Sequence, residues 1–384
     1  MTIHPHYDYI ISGSGCAGLS LLMRMMQEPF FDEKQILVVD KAPKTSNDRT
    51  WCFWERGEGL FEPLVYRHWN EVDFYSSYFS ATLPLSPYRY KMIRGIDFYR
   101  HIQELAATKN NIHFLYETVL ATGTNDNTAF VKLTSGEYSA DYVFNSILFD
   151  QPVIHKGEYM LLQHFKGWVI ETEAPVFNPA KATFMDFRVS QEAGTTFMYV
   201  LPLSEKSALV EYTLFTEQLL PQEKYESELY TYLKTYLGIE HFNIEHEEFG
   251  IIPMTNHIFP AAEGRVINMG IAGGQAKGSS GYAFQFIQKK TDTIVKHLVQ
   301  HRFPAQAMRY TERKFRLYDS VLLNVLQRRI LNGDRVFANI FQKNKPALVL
   351  RFLNNESSIW DDLQIMNSVP TGVFLKAAIQ ELLR

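Results

Sequence analysis

The chain opens on a short apolar run. Tyr7 to Ser12 reads as a buried strand, a glycine turn breaks it, and "LSLLMRMMQ" then takes up helical spacing. A second apolar strand, "QILVVD", ends at Asp40. The pattern lapses over "KAPKTSNDRTWCFWERGEG", which reads as a loop, and strand-like alternation returns in "EVDFYSSYFSATLPL". A helix is predicted over "GIDFYRHIQELAATKN", a strand over "IHFLYETVLATG", and a hairpin over "TAFVKLTSGEYSADYVFNSI" that turns at Ser135 and Gly136. Residues 160 to 252 are rich in alternating strands, with one amphipathic helix over 221–237. "GRVINMGIAGG" returns to strand and glycine, and from 289 onward the periodicity is that of amphipathic helices.

This order predicts an α/β protein in which a Rossmann-like domain is interrupted by a β-rich insertion and followed by a helical tail. The expected division is 1–72, 92–155 and 253–295 for the nucleotide-binding part, 73–91 and 156–252 for the β-rich part, and 296–384 for the tail. Gly13, Gly15 and Gly18 carry the G-x-G-x-x-G spacing between strand and helix. The first allows a tight turn, the second lets backbone approach a pyrophosphate, and the third lets helix pack on strand. The helix N-terminus then offers unpaired N–H groups to the phosphates. Asp40 lies 22 residues beyond Gly18, where an acid takes ribose hydroxyls. A simple nicotinamide-dependent dehydrogenase would continue directly with alternating strands and helices. The interrupted layout here is typical of FAD-dependent two-domain enzymes instead.

Composition narrows the functions. With 384 residues, 46% of them hydrophobic, the chain can build a large core and two lobes. A net charge of −4 and the lack of a basic run argue against nucleic-acid binding. Two cysteines, Cys16 and Cys52, form no disulfide framework, and the twelve histidines show no metal-ligand spacing, so no metal is expected. No signal-peptide pattern or spanning apolar run is present, so a cytoplasmic location is expected. Aromatic residues reach 14%, which suits both a core and a large apolar ligand.

"YDYIISGSGCAGLSL", "DRTWCFW" at 48–54, "LVEYTLF" at 209–215, "GIIPM" at 250–254 and "GGQAKGSSGYAFQ" at 273–285 together resemble the flavoprotein-type bacterial lycopene cyclases. The resemblance runs from residue 7 into the helical tail. It implies conversion of the ψ end groups of lycopene, or of a related linear carotene, into β rings. FAD is the implied cofactor, kept reduced by NAD(P)H although substrate and product are isomers. Read with the nucleotide-binding layout, the resemblance implies cofactor contacts at Gly13, Gly15, Cys16, Ala17, Gly18, Asp40, Lys41, Arg49, Val119, Gly270, Gly274, Gly278, Ser279, Gly281 and Tyr282. Candidate substrate-pocket residues are Trp51, Phe53, Trp54, Tyr212 and Phe284, with packing between domains as the alternative for the tryptophans. Ser279 or Ser280 is equally a candidate cap for the helix that follows.

Ring closure needs a proton donor, a dry pocket, and negative or π density beside a carbocation. Glu211 is the candidate acid. On strand "ALVEYTLF" it shares a face with Leu209 and Thr213, and a carboxyl group buried there would hold its proton to higher pH. A solvent-facing acid on a half-exposed sheet is the alternative. The family's motif usually has two adjacent acids before the threonine, and here Tyr212 occupies the second position. Basic residues Arg328, Arg329, Arg335, Lys343, Lys345 and Arg351 flank apolar stretches of the tail. They suit either a solvated face or peripheral contact with the inner face of the cytoplasmic membrane.

Overall fold

The computed structural model describes residues 6–305 and 310–383. β1 (Tyr7–Ser12) runs through the glycine turn into α1 (Cys16–Met26), and β2 (Ile36–Asp40) lies parallel to β1. All of β2 and the inner four residues of β1 are buried, as expected of parallel strands covered on both faces. The stretch expected to be a loop contains β3 (Thr50–Arg56) instead. Its alternation is hidden because both faces are apolar: Trp51 and Phe53 pack into one core, Cys52 and Trp54 into another. β4 (Arg67–Trp69), β5 (Glu71–Tyr75), β6 (Ala81–Pro84) and β7 (Tyr88–Arg94) follow, then α2 (Gly95–Ala106). β3, β7 and β4 form a small antiparallel sheet.

β8 (Ile112–Tyr116), β9 (Val119–Asn125), β10 (Thr128–Leu133) and β11 (Glu137–Asn145) complete most of the first large sheet. The run read as one strand over 112–123 is thus two. The β-rich middle supplies β12 (Met160–Glu171), β13 (Ala182–Asp186), β14 (Thr195–Pro202), β15 (Ser207–Thr216), α3 (Gln222–Leu237) and β16 (Asn243–Thr255). The chain then returns through β17 (Ala262–Glu263) and β18 (Val266–Asn268) to the first sheet. That sheet has the order β17-β18-β11-β1-β2-β8, with β10 and β9 attached beside β11. The second large sheet has the order β16-β12-β15-β14-β13-β5-β6. The fold is therefore the expected one: a Rossmann-like parallel sheet, interrupted by a β-rich sheet.

The tail is α4 (Phe284–Val299), α5 (Tyr310–Gln327), α6 (Gly333–Lys343), α7 (Pro346–Leu353), α8 (Ile359–Ser368) and α9 (Thr371–Leu382). α4 packs along α1. α6 and α7 deliver Phe337, Phe341, Leu348 and Leu350 onto one face of the second sheet, among Phe184, Phe197 and Phe215. α3 covers the opposite face with Tyr225, Leu229, Tyr232 and Leu233. Burial on both faces explains why all of β14 is buried and shows no inside–outside alternation.

One glycine fixes the approach of α1 to β1. A Cβ on Gly18 would lie 1.9 Å from the Gly13 carbonyl oxygen, which is backbone and cannot step aside. Gly18→Ala is expected to destabilise the protein by about 1–3 kcal/mol, read as a lower denaturant midpoint at unchanged slope.

Candidate functional site

The turn after β1 forms an open cradle. Gly13 has φ +98°, in the region that favours glycine. A Cβ placed on Gly15 would meet nothing within 4 Å. Gly15 is also the N-cap of α1 and contributes no side-chain cap, so the first-turn N–H groups face that space. Asp40 is buried, and its Oδ2 accepts from the Ser14 N–H at 2.7 Å and the Ser14 hydroxyl at 2.8 Å. The acid thus ties the end of β2 to the glycine turn. Ala17 packs under the turn, and a Cβ on Gly270 would lie 3.0 Å from its Cβ, so the end of β18 closes against α1. Burial pushes the Cys16 thiol up to about 12, against a weaker pull from Ser20, so Cys16 is a packed thiol and not a reactive one.

Three further predicted cofactor residues flank the turn or the strands beside it. Val119 is buried under the sheet with Ile10, Leu37 and Val39. Lys41 is exposed at the end of β2. The Arg49 guanidinium donates to the carbonyls of Asp48 and Phe249 at 2.7 and 3.0 Å, so it braces β16 rather than the glycine turn.

The second cradle is the loop before α4. Gly274 and Gly281 have φ of +72° and +69°. A Cβ on Gly281 would collide with Gln163 Oε1 at 1.9 Å, and one on Gly278 with the Thr255 carbonyl at 2.6 Å. Lys277 anchors the loop from behind: its buried ammonium lies 2.8 Å from Asp319 Oδ1 and 2.7 Å from Asn355 Oδ1. Neither Ser279 nor Ser280 caps α4, because the helix starts at Phe284 with Ala283 in the cap position and no side-chain cap. Ser280 Oγ, Gln275 Oε1 and Gln163 Oε1 are buried without a hydrogen-bond partner among the described residues. Two uncapped helix starts, the open space at Gly15 and orphaned polar atoms fit a large, polar, anionic cofactor.

The acid lies on the second sheet. Gly167 of β12 is the register partner of Glu211 on β15 and of Glu248 on β16. Directly paired residues point to the same face, so both carboxyl groups rise on either side of a residue that has no side chain. They come within hydrogen-bonding reach of each other. A Cβ on Gly167 would lie 3.1 Å from Glu248 Cγ and 3.0 Å from Leu209 Cδ1, so a side chain there would press on both. Sequence reading missed Glu248. The signal available was "EHEEF": Glu247 turns outward to Lys166 at 2.5 Å, and alternation turns Glu248 inward, 5% exposed. Burial and the facing Glu248 raise the Glu211 pKa well above the usual carboxylate range, against the Thr213 hydroxyl that donates to its Oε1 at 2.6 Å. Burial also raises Glu248, opposed by Thr50 and the Arg49 charge.

Aromatic rings close over this pair. Tyr199 is the register partner of Glu211 on its other side, and its hydroxyl lies 3.1 Å from that of Tyr282. Trp54 packs edge-on to Tyr282 at 4.6 Å and donates its indole N–H to the Leu350 carbonyl. Tyr90 and Phe184 join the same cluster. Of the predicted pocket residues, the structure thus brings Trp54 towards Glu211. Trp51, Phe53 and Phe284 pack together in the neighbouring core, with Phe53 stacked on Phe284 at 4.3 Å. Tyr212 does not belong to the site: it follows Glu211 on the strand, points to the opposite face, and packs beneath α3 against Tyr225.

Residues 8–379 match the family model described as lycopene cyclase protein. Over 229 residues, 56% of this chain, the sequence is 27% identical to a lycopene beta-cyclase of Pantoea ananas, and the match covers 54% of that relative, about half its length. A geranylgeranyl bacteriochlorophyll reductase-like protein of Thermoplasma acidophilum has a TM-score of 0.68 at 12% identity, over 97% of this chain and 98% of that one. A flavoprotein/dehydrogenase of Cytophaga hutchinsonii has a TM-score of 0.61 at 11% identity, over 99% of each chain. These structural likenesses establish the fold, that of the two-domain flavoproteins.

Desolvating the part-buried Glu211 carries a stability cost whose sign is fixed. Below the ordinary carboxylate pKa the group is protonated in both folded and unfolded chains, and no penalty arises. Above it the unfolded chain releases the proton freely while the folded one resists, so stability falls until the raised pKa is passed. Glu211→Gln is expected to match the parent melting temperature only below the ordinary carboxylate value of 4.5, and to exceed it by a growing margin up to about 8, as followed by thermal unfolding across pH.

Proposed function

Because the chain belongs to the lycopene cyclase family, we propose that it closes the ψ end groups of lycopene, or of a related linear carotene, into β rings without net redox change. The observation that carries this reading is the place of Glu211, paired in register with Gly167 and Tyr199 beside an aromatic cluster, on the apolar face of a sheet that α6 and α7 cover, where desolvation raises its pKa. Protonated Glu211 gives its proton to the terminal alkene. The neighbouring double bond attacks the resulting tertiary cation and the ring closes. The faces of Tyr199, Tyr282 and Trp54 stabilise the cation, each worth roughly 2 kcal/mol when desolvated. The buried aromatic wall keeps out water that would otherwise quench the cation to an alcohol.

FAD is the cofactor supported by the family and the flavoprotein fold, with NAD(P)H as its reductant in this proposal. Residues 13–18, Asp40 and Gly270 would hold its nucleotide part, and Gly274, Gly278, Ser280 and Gly281 its ring system. When bound and reduced, it supplies negative charge beside the developing cation.

A linear carotene resides in lipid, so the proposal includes work at the inner surface of the cytoplasmic membrane. Among the described residues no helix is long and apolar enough to cross a membrane. Exposed Trp360, at 81%, with Leu375 and Leu382 at 57% and 68%, supports surface contact by α8 and α9. The basic side chains of the tail lend it less support, since Arg351 pairs with Asp361, Lys343 donates to the Ser368 carbonyl and Arg329 to the Ala193 carbonyl. Flotation with liposomes is expected to carry the protein upward, and Trp360→Ala with Leu375→Ser to leave it at the bottom.

The central test is anaerobic turnover with NAD(P)H and lycopene in liposomes, with pigments separated and weighed. The expected product has the mass of lycopene and a shorter chromophore. Glu211→Gln should lower turnover by about 10²-fold or more while keeping the flavin content of the parent. A product heavier by one oxygen or by two hydrogens would instead make the protein a hydroxylase or a polyprenyl reductase.

A further inference from the structure

We propose that Glu211 and Glu248 act as one acid–base couple that holds a single proton, with Glu248 the base that receives the proton lost at ring closure. The inference rests on the cyclase reading and extends it, because that reading supplies a donor and leaves the acceptor unnamed. A cyclisation without redox change needs both. If the proton went to bulk water, water would have to reach the cation.

The geometry favours a couple. The two carboxyl groups meet over Gly167, the only position on β12 where a side chain would part them. Glu248 is 5% exposed, and its Oε2 is buried with no hydrogen-bond partner among the described residues. A carboxyl oxygen without a donor, beside another carboxyl group, is satisfied when one proton lies between them. Other ionisable groups around the pair cannot replace it. Cys52 from β3, Tyr90 from β7, Tyr199 from β14 and Tyr282 from the glycine loop are all driven by burial towards their neutral, protonated forms. Asp48 and Arg49, before β3, bring opposite charges to Glu248. Glu247 and Lys166 pair on the far face of the sheet.

The cycle balances. The Glu211 O–H bond breaks, and the π electrons of the terminal alkene form the new C–H bond. The resulting cation accepts the π electrons of the neighbouring double bond, which makes the ring C–C bond and moves the charge to a ring carbon. An adjacent ring C–H bond then breaks, its electron pair becomes the ring double bond, and Glu248 takes the proton. Glu211 is left as carboxylate and Glu248 as acid. One proton passed between the two restores the starting state, with no oxidant or reductant consumed.

The active form therefore has one carboxyl group protonated and one charged, and activity should fall on both sides of a pH optimum. On the acid side Glu248 becomes protonated and cannot accept; on the alkaline side Glu211 loses the proton it must give. Glu248→Gln, loaded with reduced flavin, is expected to lower kcat by about 10²-fold with KM little changed, and to lose the acid limb of the pH profile. The alkaline limb should remain, since Glu211 is still present. Parent-like kcat with both limbs, or a lower kcat with both limbs kept, would overturn the proposal and leave the cyclase reading standing. Parent enzyme that yields no isomer of lycopene would overturn both. A measurement on the parent guards against a variant that fails to fold. Infrared spectra of the glutamate-labelled holoenzyme should contain one buried protonated carboxyl band at neutral pH, lost only in alkali. Absence of that band would refute the couple irrespective of turnover.

Discussion

The structure depends on keeping a carboxyl pair uncharged enough to bury. Two unit negative charges about 4 Å apart repel by roughly 4 kcal/mol at an effective dielectric near 20, before any cost of leaving water. Among the described residues, a sheet face lined by Leu209, Tyr199 and Phe215 offers no cation except Arg49, which acts on Glu248 at the outer strand. Holding one proton is the route that remains. The surroundings then follow from the same constraint. The aromatic cluster excludes the water that would solvate a second charge, and Gly167 gives two side chains the space of three. What makes the pair expensive to fold is what would suit it to the proposed proton transfer near neutrality.

The acid pair and the cofactor cradle are built by different sheets, and two features of the loop before α4 join them. Tyr282 leaves the loop to meet Tyr199, the cross-strand neighbour of Glu211. Lys277, five residues earlier, turns the other way and is fixed by Asp319 of α5 and by Asn355 beyond α7. The loop is therefore stretched between the sheet that carries the acid and the helices of the tail. Gly278 sits so close to the Thr255 carbonyl that no side chain fits, and Gly281 lies against Gln163 with φ +69°, a conformation that favours glycine. The tail is thus part of the site's construction, since α5 and α7 set where the glycine loop lies and α6 and α7 roof the aromatic face.

Much of this was legible in the sequence, for reasons that differ by region. The glycine spacing after β1 constrains backbone directly, so turn, helix and following strand came out as read. The interrupted layout was legible because strand alternation persists through the β-rich segment. β3 was not, since a strand packed between two cores has no polar face and its Trp–Cys–Phe–Trp run carries no period. The alternative cap at Ser279 or Ser280 does not form: serine and glycine suggest a cap locally, whereas Gly278 and Ser280 are held by contacts with β16 and by burial. Arg49 entered as a cofactor contact by resemblance alone. Its actual partner, the Phe249 carbonyl, is two hundred residues away and leaves no local trace.

Glu248 escaped notice for a more general reason. A motif with two adjacent acids suggests a pair of acids, and Tyr212 in the second position then looks like a loss. On a strand, however, neighbouring residues point to opposite faces. An acid at position 212 would lie beneath α3 among Tyr225 and Leu229, on the far side of the sheet from Glu211. It could not share a proton with Glu211 whatever its chemistry. A partner on the same face has to come from a strand in register, and here it comes across β12, 37 residues further along the chain. The tyrosine suits its own side of the sheet, packed on Tyr225 within the α3 core. The pairing that matters is set by the register of three strands and by one missing side chain, neither of which is written in the residues next to the acid.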